Sequence, residues 1–326
     1  MNKRLVFLVK LLVMTGIIAV VGWKICSAWR EVAHMSISID WAFAPVGLLG
    51  FAGVVLSSAM VWRWIASRMG DHHPTVPLLG AYAFSQMGKY IPGKVMLLLM
   101  RIERAGRVGM DAQTCTLSTL LENALYMISG GLSGLIALLV KAHDFQPAQR
   151  AWLLPATGGA VIILLGACHP RVFYGLVNLG LRQMKRPPVE PHLSMGQLLL
   201  CVLMFLPCWA FGGLVLWAAL ACVHPVPVSS IPVLMGAFAL SVIMGMASLL
   251  PGGLGVKEAI VAVFMSFELM PAVEKNQAMV FAAVAMLLQR LFQLVVEAVL
   301  GLVGAALTAG GQECSEERGR PRSVSA

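Results

Sequence analysis

Charged residues are scarce in this chain of 326 residues. Only 12% of the residues are Asp, Glu, Lys or Arg and 59% are hydrophobic, against about 25% and 45–50% in ordinary soluble domains. This composition argues against a water-soluble globule and a disordered chain. The 24 basic residues exceed the 15 acidic ones, but they lie between long apolar runs, whereas nucleic-acid binding needs a basic patch on one face. The excess of +9 is instead typical of basic loops that face an anionic bilayer leaflet.

Motifs for catalysis and for metal binding are also missing. The seven cysteines contain no C-x-x-C pair, so no disulfide framework or zinc site is predicted. No nucleotide-binding loop is present, because Gly88-Lys89 and Gly93-Lys94 are followed by aromatic or apolar residues. The longest stretches outside the predicted membrane segments, about 169–196 and 309–326, are too short for a catalytic domain. We therefore expect a protein that is not an enzyme and that holds no metal or cofactor.

Six apolar runs are long enough to cross a bilayer as helices, which requires about 20 residues. They cover residues 5–23, 43–62, 112–140, 152–168, 197–221 and 278–308. The first run is interpreted as an uncleaved span rather than a signal peptide. These runs predict an all-α polytopic membrane protein with six full spans.

Two further apolar segments, 77–100 and 232–269, are interrupted by helix breakers. The breaks are Pro92-Gly93 in the first segment and Pro251-Gly252-Gly253-Leu254-Gly255 in the second. Proline lacks an amide hydrogen, and glycine adopts conformations that other residues avoid. Each segment is therefore predicted to form two half-helices that re-enter on the side from which they came.

Basic residues then predict the topology, because cytoplasmic loops carry an excess of Lys and Arg. With re-entrant segments and cytoplasmic termini, fifteen of the 24 basic residues lie inside and five lie outside. The same order of spans recurs in residues 5–140 and 152–308, starting from opposite sides. We therefore predict one membrane domain, residues 1–308, built as an inverted repeat, with a disordered cytoplasmic tail at 309–326. Inverted repeats usually bind their substrate near the midplane, here where the two breaks would meet.

Lysines beside both breaks predict a site for an anion such as phosphate, because ionisable groups inside a membrane are costly and half-helix amino ends attract anions. The alternative is that the lysines extend to the interface and the glycines only cap helices. The residues assigned to substrate binding are Lys89, Pro92, Gly93, Lys94, Pro251, Gly252, Gly253, Gly255 and Lys257.

Other ionisable residues lie on or next to predicted membrane segments. Glu122, Glu258, Arg290 and Glu297 are assigned to charge pairing during translocation, with Glu122 or Glu258 as the partner of Arg290 across the repeat. The alternative is a purely structural ion pair. Arg101 and Arg104, where the first broken segment returns to the cytoplasm, are predicted to contact anionic headgroups, or else serve only as a topology signal.

The two Pro-Gly elements and the charged residues after them carry a resemblance to a known family. Gly88-Lys89-Tyr90-Ile91-Pro92-Gly93-Lys94, Leu250 to Glu258, Arg101, Glu122 and Arg290 resemble the pattern of the lysylphosphatidylglycerol synthase transmembrane-region family, which is flippase-like. The likeness covers about residues 5–308. It implies the membrane half only, without the soluble aminoacyltransferase domain, since the chain stops at Ala326.

The resemblance implies translocation of an anionic lipid or lipid-linked headgroup across a bacterial or archaeal plasma (inner) membrane. Two alternatives stay open: a secondary transporter of a small anionic solute, and a non-transporting membrane partner of a lipid-modifying synthase. The expected partners are anionic membrane lipids, with a synthase or glycosyltransferase as a further candidate. Glycine-rich helix faces leave the oligomeric state open.

Overall fold

The structure is a computed structural model that describes residues 38–90, 95–140, 161–183, 193–247, 255–269 and 272–319, with the single residues 155, 159, 188 and 190. Within these ranges the regular secondary structure is entirely helical. The α-helices are α1 (Ala44–Arg68), α2 (Thr75–Ser85), α3 (Met96–Val108), α4 (Ala112–Val140), α5 (Val161–Ala167), α6 (Pro170–Gln183), α7 (Met195–Met204), α8 (Leu206–Ala221), α9 (Ile231–Ala247), α10 (Val256–Leu269) and α11 (Lys275–Gly319). Short 3₁₀ turns cover Trp41–Phe43, Gln86–Tyr90 and Val228–Ser230.

Five stretches of helix in the described ranges are long and apolar enough to cross a membrane. They are Trp41–Arg68, Ala112–Ala137, Met195–Ala221, Val228–Met246 and Lys275–Ala309. Four of them confirm the predicted spans 43–62, 112–140, 197–221 and 278–308. The predicted span 5–23 lies outside the described residues, and only the end of the predicted span 152–168 is described continuously, as α5.

The ends of these helices follow from local sequence chemistry. Ser194 caps α7 by accepting a hydrogen bond from the Gln197 amide, while the Gln197 side chain accepts one from the Ser194 amide. Gly109, with φ of 107°, ends α3 in the left-handed conformation that glycine adopts without strain. The break between α7 and α8 precedes Pro207, whose missing amide hydrogen cannot bond the Leu203 carbonyl.

Both predicted broken segments consist of two helices that pack against each other. In the first segment, α2 continues into the 3₁₀ turn Gln86–Tyr90, and α3 begins after residues 91–94, which are not described. The approach is tight, because a Cβ atom on Gly88 would lie 2.7 Å from the backbone of Leu97. In the second segment α9 packs on α10. With the preceding turn, α9 is as long as a span (Val228–Met246), which the prediction of a half-helix did not anticipate.

Two stretches that were predicted to lie outside the membrane contain helix. Helix α11 runs for 45 residues to Gly319, so residues 309–319 are helical where a disordered tail was predicted. The stretch 169–196, predicted to lie outside the membrane, contains α6, which is bent by 74° from α5. Pro170 removes an amide donor at this break, which accounts for the end of α5.

The chain divides into two compact units. The described residues of the first unit are 38–54, 129–140, 161–164, 206–247, 255–269 and 272–294, and those of the second unit are 55–90, 95–128, 165–183, 193–205 and 295–319. The core of the first unit includes Trp209 on α8 and Phe238 on α9, with ring centroids 6.3 Å apart. The core of the second unit includes Trp62 and Tyr82, 5.8 Å apart. The units do not follow the predicted halves 5–140 and 152–308.

Candidate functional site

The second unit contains a buried arginine, Arg101. Arg101 on α3 donates a hydrogen bond of 2.5 Å to Glu122 on α4 and, from the same terminal nitrogen, one of 3.3 Å to the Thr119 hydroxyl, while its Nε donates to the Ser85 hydroxyl at 3.1 Å. The Tyr82 hydroxyl donates to the second Glu122 oxygen at 2.6 Å. We call these five residues the Arg101 cluster.

Aromatic rings enclose the Arg101 guanidinium on the remaining sides. Its central carbon lies 4.0 Å from the centre of the Tyr82 ring and 5.2 Å from the Trp62 ring, and only 1% of the residue is exposed. Stacking on rings suits a planar cation that is weakly hydrated. The predicted headgroup contact needed an exposed guanidinium, and in this structure the pairing with Glu122 keeps Arg101 inside the protein.

Arg104, the other predicted headgroup contact, packs between two helices. Its guanidinium lies 3.9 Å from the centre of the Phe84 ring on α2, and it donates a hydrogen bond of 3.2 Å to Thr308 on α11. The residue is half-buried. The Arg104 side chain thus links α3 to α2 and to α11.

A second ionic group, which we call the Lys89 cluster, lies beside the first break. The Lys89 amine hydrogen-bonds one oxygen of Glu297 on α11, and the Tyr90 hydroxyl donates to the other oxygen at 2.8 Å. Lys89 also lies 5.4 Å from the Tyr90 ring. The Glu297 side chain is 3% exposed, whereas that of Lys89 is 23% exposed. The lysine is therefore held by a buried carboxylate but stays accessible from outside the protein.

Close glycine packing brings α11 to the elements that carry Lys89. Gly304 on α11 faces Gly80 on α2 so closely that a Cβ atom on Gly80 would lie 3.2 Å from the Gly304 backbone. One turn earlier, Gly301 lies against the Met87 side chain in the 3₁₀ turn. Small residues at such positions allow helix backbones to approach closely, which places Glu297 within reach of Lys89.

The first unit contains a separate group, the Arg290 cluster. Arg290 on α11 lies 3.6 Å from a Glu258 oxygen on α10 and donates a hydrogen bond of 3.1 Å to Gln293. Glu258 also accepts a hydrogen bond of 2.7 Å from the Gly255 amide, at the beginning of α10. An acidic side chain is favourable at this positive end of a helix. The Gly255 amide, predicted to be free for a phosphate, thus already binds a carboxylate.

The structure shows which of the predicted charged residues pair with one another. Of the two partners predicted for Arg290, Glu258 lies close and Glu122 binds Arg101 instead. Each of these two pairs lies within a single predicted half. The Lys89–Glu297 pair joins residues of the two predicted halves. Lys257 is half-buried next to Glu258. The predicted site residues Pro92, Gly93, Lys94, Pro251, Gly252 and Gly253 lie outside the described residues.

Two tyrosines were missed by the reasoning from sequence. Tyr82 and Tyr90 each donate to a buried glutamate, and the chain has only four tyrosines. Tyrosine is rare in this chain, and two of the four lie in the first broken segment. This concentration could have indicated that they belong to the site. Within the described ranges no three His, Cys, Asp or Glu side chains lie close enough to hold a metal ion.

Membrane-length apolar helices that carry buried ion pairs define a polytopic integral membrane protein. The chain belongs to the family described as the lysylphosphatidylglycerol synthase TM region, whose model matches residues 7–301. This membership confirms the resemblance seen in the sequence and relates the protein to the handling of membrane lipids. A comparison with individually curated proteins gives no match.

Proposed function

We propose that this protein translocates an anionic lipid, or a lipid-linked headgroup, between the leaflets of the membrane. The observation that carries the proposal is the Lys89 cluster: a lysine beside a helix break, paired with a buried glutamate and exposed over about a quarter of its side chain. Membership of a family of lipid-handling membrane regions supports a lipid as the substrate.

In the proposed step a phosphate replaces Glu297 as the partner of Lys89. Both are oxygen anions that accept hydrogen bonds from an ammonium group, so the exchange leaves the lysine charged and paired. Glu297 then keeps the hydrogen bond from Tyr90 but loses its cation, which opposes the exchange, so the phosphate must bind Lys89 strongly enough to offset that cost. The lipid chains stay in the bilayer, and the protein forms or breaks no covalent bond.

The Arg101 cluster has a different role in this proposal. Its cation has protein partners on several sides and almost no exposure, so a phosphate would have to displace buried groups to reach it. We assign it to holding α2, α3 and α4 together beside the Lys89 cluster. The Arg290 cluster is the counterpart at the second break, where Arg290 exchanges partners between Glu258 and the substrate.

The finer features of topology belong to the same proposal. We infer re-entrant segments at 77–100 and 232–269, an inverted repeat, and both termini on the cytoplasmic side of a bacterial or archaeal plasma membrane. The basic residues between the apolar runs support this orientation. Reporter fusions at the termini and at residues 70 and 224 test it, and a non-cytoplasmic terminus would contradict it.

The function is tested by reconstituting the full chain in liposomes that contain phosphatidylglycerol with a fluorescent headgroup label. Dithionite added outside quenches only outer-leaflet label, so translocation raises the quenched fraction above one half. Lys89→Gln is expected to slow exchange about tenfold, since a hydrogen bond to a charged group contributes about 1.5–3 kcal/mol. Lys275→Gln removes an exposed lysine at the start of α11 and is the matched control.

The outcomes separate the candidate functions. Exchange of no anionic lipid by the wild-type protein would overturn translocation. Uptake of inorganic phosphate into the liposomes without lipid exchange would favour a transporter of small anions. Lipid exchange that Lys89→Gln leaves unchanged would move the site away from the Lys89 cluster.

A further inference from the structure

Helix α6, which follows a membrane-length apolar run, has a direction that suits the membrane surface. It turns by 74° from α5, and transmembrane helices are tilted by only about 20° on average. Taken together with the predicted crossing at residues 152–168, this turn would place α6 close to the plane of the bilayer. With 14 residues, α6 is also too short to cross the hydrocarbon core.

The side chains of α6 form three faces, at about 100° per residue around the helix. One face packs on the protein and is buried: Phe173, Tyr174 and Leu181. The Tyr174 hydroxyl accepts a hydrogen bond of 2.9 Å from the Leu193 amide, just before α7. This hydrogen bond fixes the buried face of α6 to the chain just before α7.

The other two faces differ in polarity. An apolar face is exposed and consists of Val172, Leu176 and Leu179. Between it and the buried face lies a polar edge with Asn178 and the two exposed arginines, Arg171 and Arg182. Three faces about 120° apart suit a helix that contacts protein, acyl chains and headgroups at once.

A groove lies where the polar edge meets the apolar face. It has a volume of about 500 Å³ and is lined by Gly175, Asn178, Leu179, Arg182 and Pro188. The volume is in the range of small-molecule sites. Its lining combines a cation and an amide with an apolar floor, and the glycine leaves space between them, since a Cβ atom on Gly175 would meet nothing within 4 Å.

The charge around the groove selects its occupant. Arg182 is the charged residue of the lining, and α6 carries Arg171 and Arg182 and no acidic residue, while Glu190 follows two positions after Pro188. Among the described residues Arg182 forms no ion pair. An exposed arginine next to exposed leucines, on a helix in the plane of the membrane, has the phosphate of a neighbouring phospholipid as its nearest anion.

We propose that this groove on α6 is a binding site for an anionic phospholipid of the bilayer, separate from the Lys89 cluster. Arg182 binds the headgroup phosphate, and the acyl chains pass over Gly175 and Leu179. The site would hold the second unit at a fixed depth in the leaflet. It does not depend on translocation, because no residue of the proposed transport site contributes to it.

The groove is tested by native mass spectrometry of the full chain in detergent, titrated with phosphatidylglycerol, phosphatidylcholine or inorganic phosphate. Wild-type protein should retain phosphatidylglycerol in preference to phosphatidylcholine. Arg182→Gln should reduce that retention about fivefold, as expected for one basic residue near an anionic lipid. Arg171→Gln, on the same helix but outside the groove, should retain the lipid as the wild type does.

A second pair of variants tests the shape of the groove without changing charge. Gly175→Leu should fill the groove and abolish retention, whereas Gly180→Leu adds the same side chain to another open, exposed position of α6 and should leave retention unchanged. Equal retention by Arg182→Gln and Arg171→Gln, or by both leucine variants, would overturn the site. Arg182-dependent retention of inorganic phosphate that matches the lipid would overturn the assignment to a phospholipid.

Discussion

Two buried glutamates of the second unit, Glu122 and Glu297, have the same kinds of partner and differ in the access of those partners to solvent. Each accepts a hydrogen bond from a tyrosine and one from a basic side chain. The partner of Glu122 is an arginine enclosed by aromatic rings, and the partner of Glu297 is a lysine with 23% exposure. Ion pairs of similar composition thus differ in access: the Arg101–Glu122 pair is closed to solvent, and the Lys89–Glu297 pair is accessible through its lysine.

The type of cation agrees with this difference. A guanidinium is planar and its donors match several fixed acceptors at once, as Arg101 does with Glu122, Ser85 and Thr119. An ammonium group is a compact charge on a flexible stem, which can change partners with little rearrangement. The comparison therefore predicts large effects on stability at Arg101 and mainly functional effects at Glu297.

The largest expected effect is that of Arg101→Leu. It leaves the Glu122 carboxylate buried without its cation, which is expected to lower the free energy of unfolding by about 3–5 kcal/mol. Thermal unfolding in detergent, followed by circular dichroism, measures the loss. The double variant Arg101→Leu with Glu122→Leu should recover much of it, because no unpaired charge remains. A double variant less stable than the single one would contradict the closed, structural role.

Gly304→Ala should have the next largest effect. The added Cβ atom meets the Gly80 backbone, which cannot move like a side chain, so we expect a loss of about 1–3 kcal/mol. Because the shift separates α11 from α2, it should also weaken the Lys89–Glu297 pair and slow lipid exchange. Gly106→Ala, at an open position of α3, is the control and should stabilise by about 0.5–1 kcal/mol. Equal melting temperatures for both variants would argue against close packing at Gly304.

Glu297→Gln should cost less stability than Glu122→Gln. Lys89 reaches solvent when its carboxylate partner is lost. We therefore expect Glu297→Gln to lower the free energy of unfolding by about 1 kcal/mol. Arg101 has no such exit, so Glu122→Gln leaves a buried cation without a counter-charge and should cost several times more. Unfolding of the two variants in the same detergent measures the difference. If both lose the same free energy, the contrast between an open and a closed pair is wrong.

The smallest effect is expected at an exposed pair on α3. Glu103 accepts a hydrogen bond of 2.6 Å from Arg107, one turn away, and 54% of its side chain is exposed. Glu103→Gln should change the free energy of unfolding by no more than about 0.5 kcal/mol, because water screens such pairs. The melting curve of Glu103→Gln gives the baseline for the other variants. A loss of stability close to that of Arg101→Leu would show that burial does not explain the difference between the exposed and the buried pair.

Four predicted spans are confirmed because each rests on a local property, a run of about 20 apolar residues. The division of segments 77–100 and 232–269 into two helices each was also recognisable, since proline and glycine act within one turn. The boundaries were harder to predict: α3 continues to Val108 and α11 to Gly319. These ends lie beyond the apolar runs, where helix propensity and packing decide the length rather than hydropathy.

The partners within the site were not predictable in the same way. Arg101 follows an apolar segment and has two arginines nearby in sequence, which is also the pattern of a cytoplasmic loop. Its burial depends on α3 packing against α2, beside a glutamate on α4. Helix α6 was not predicted, because only apolar runs long enough to cross a membrane were used to predict helices, although its apolar residues recur at helical spacing.

The sequence by itself determined that this chain enters a membrane, to which family it belongs and which few charges lie within apolar segments. These properties depend on residue types and on spacing within single helices. Only the tertiary structure decided that Lys89 pairs with Glu297, 208 residues away, and that Arg101 pairs with Glu122. The physical reason is that an ion pair forms between the charges that helix packing brings within about 4 Å, and the close contact of Gly80 with Gly304 sets that distance only in the folded protein.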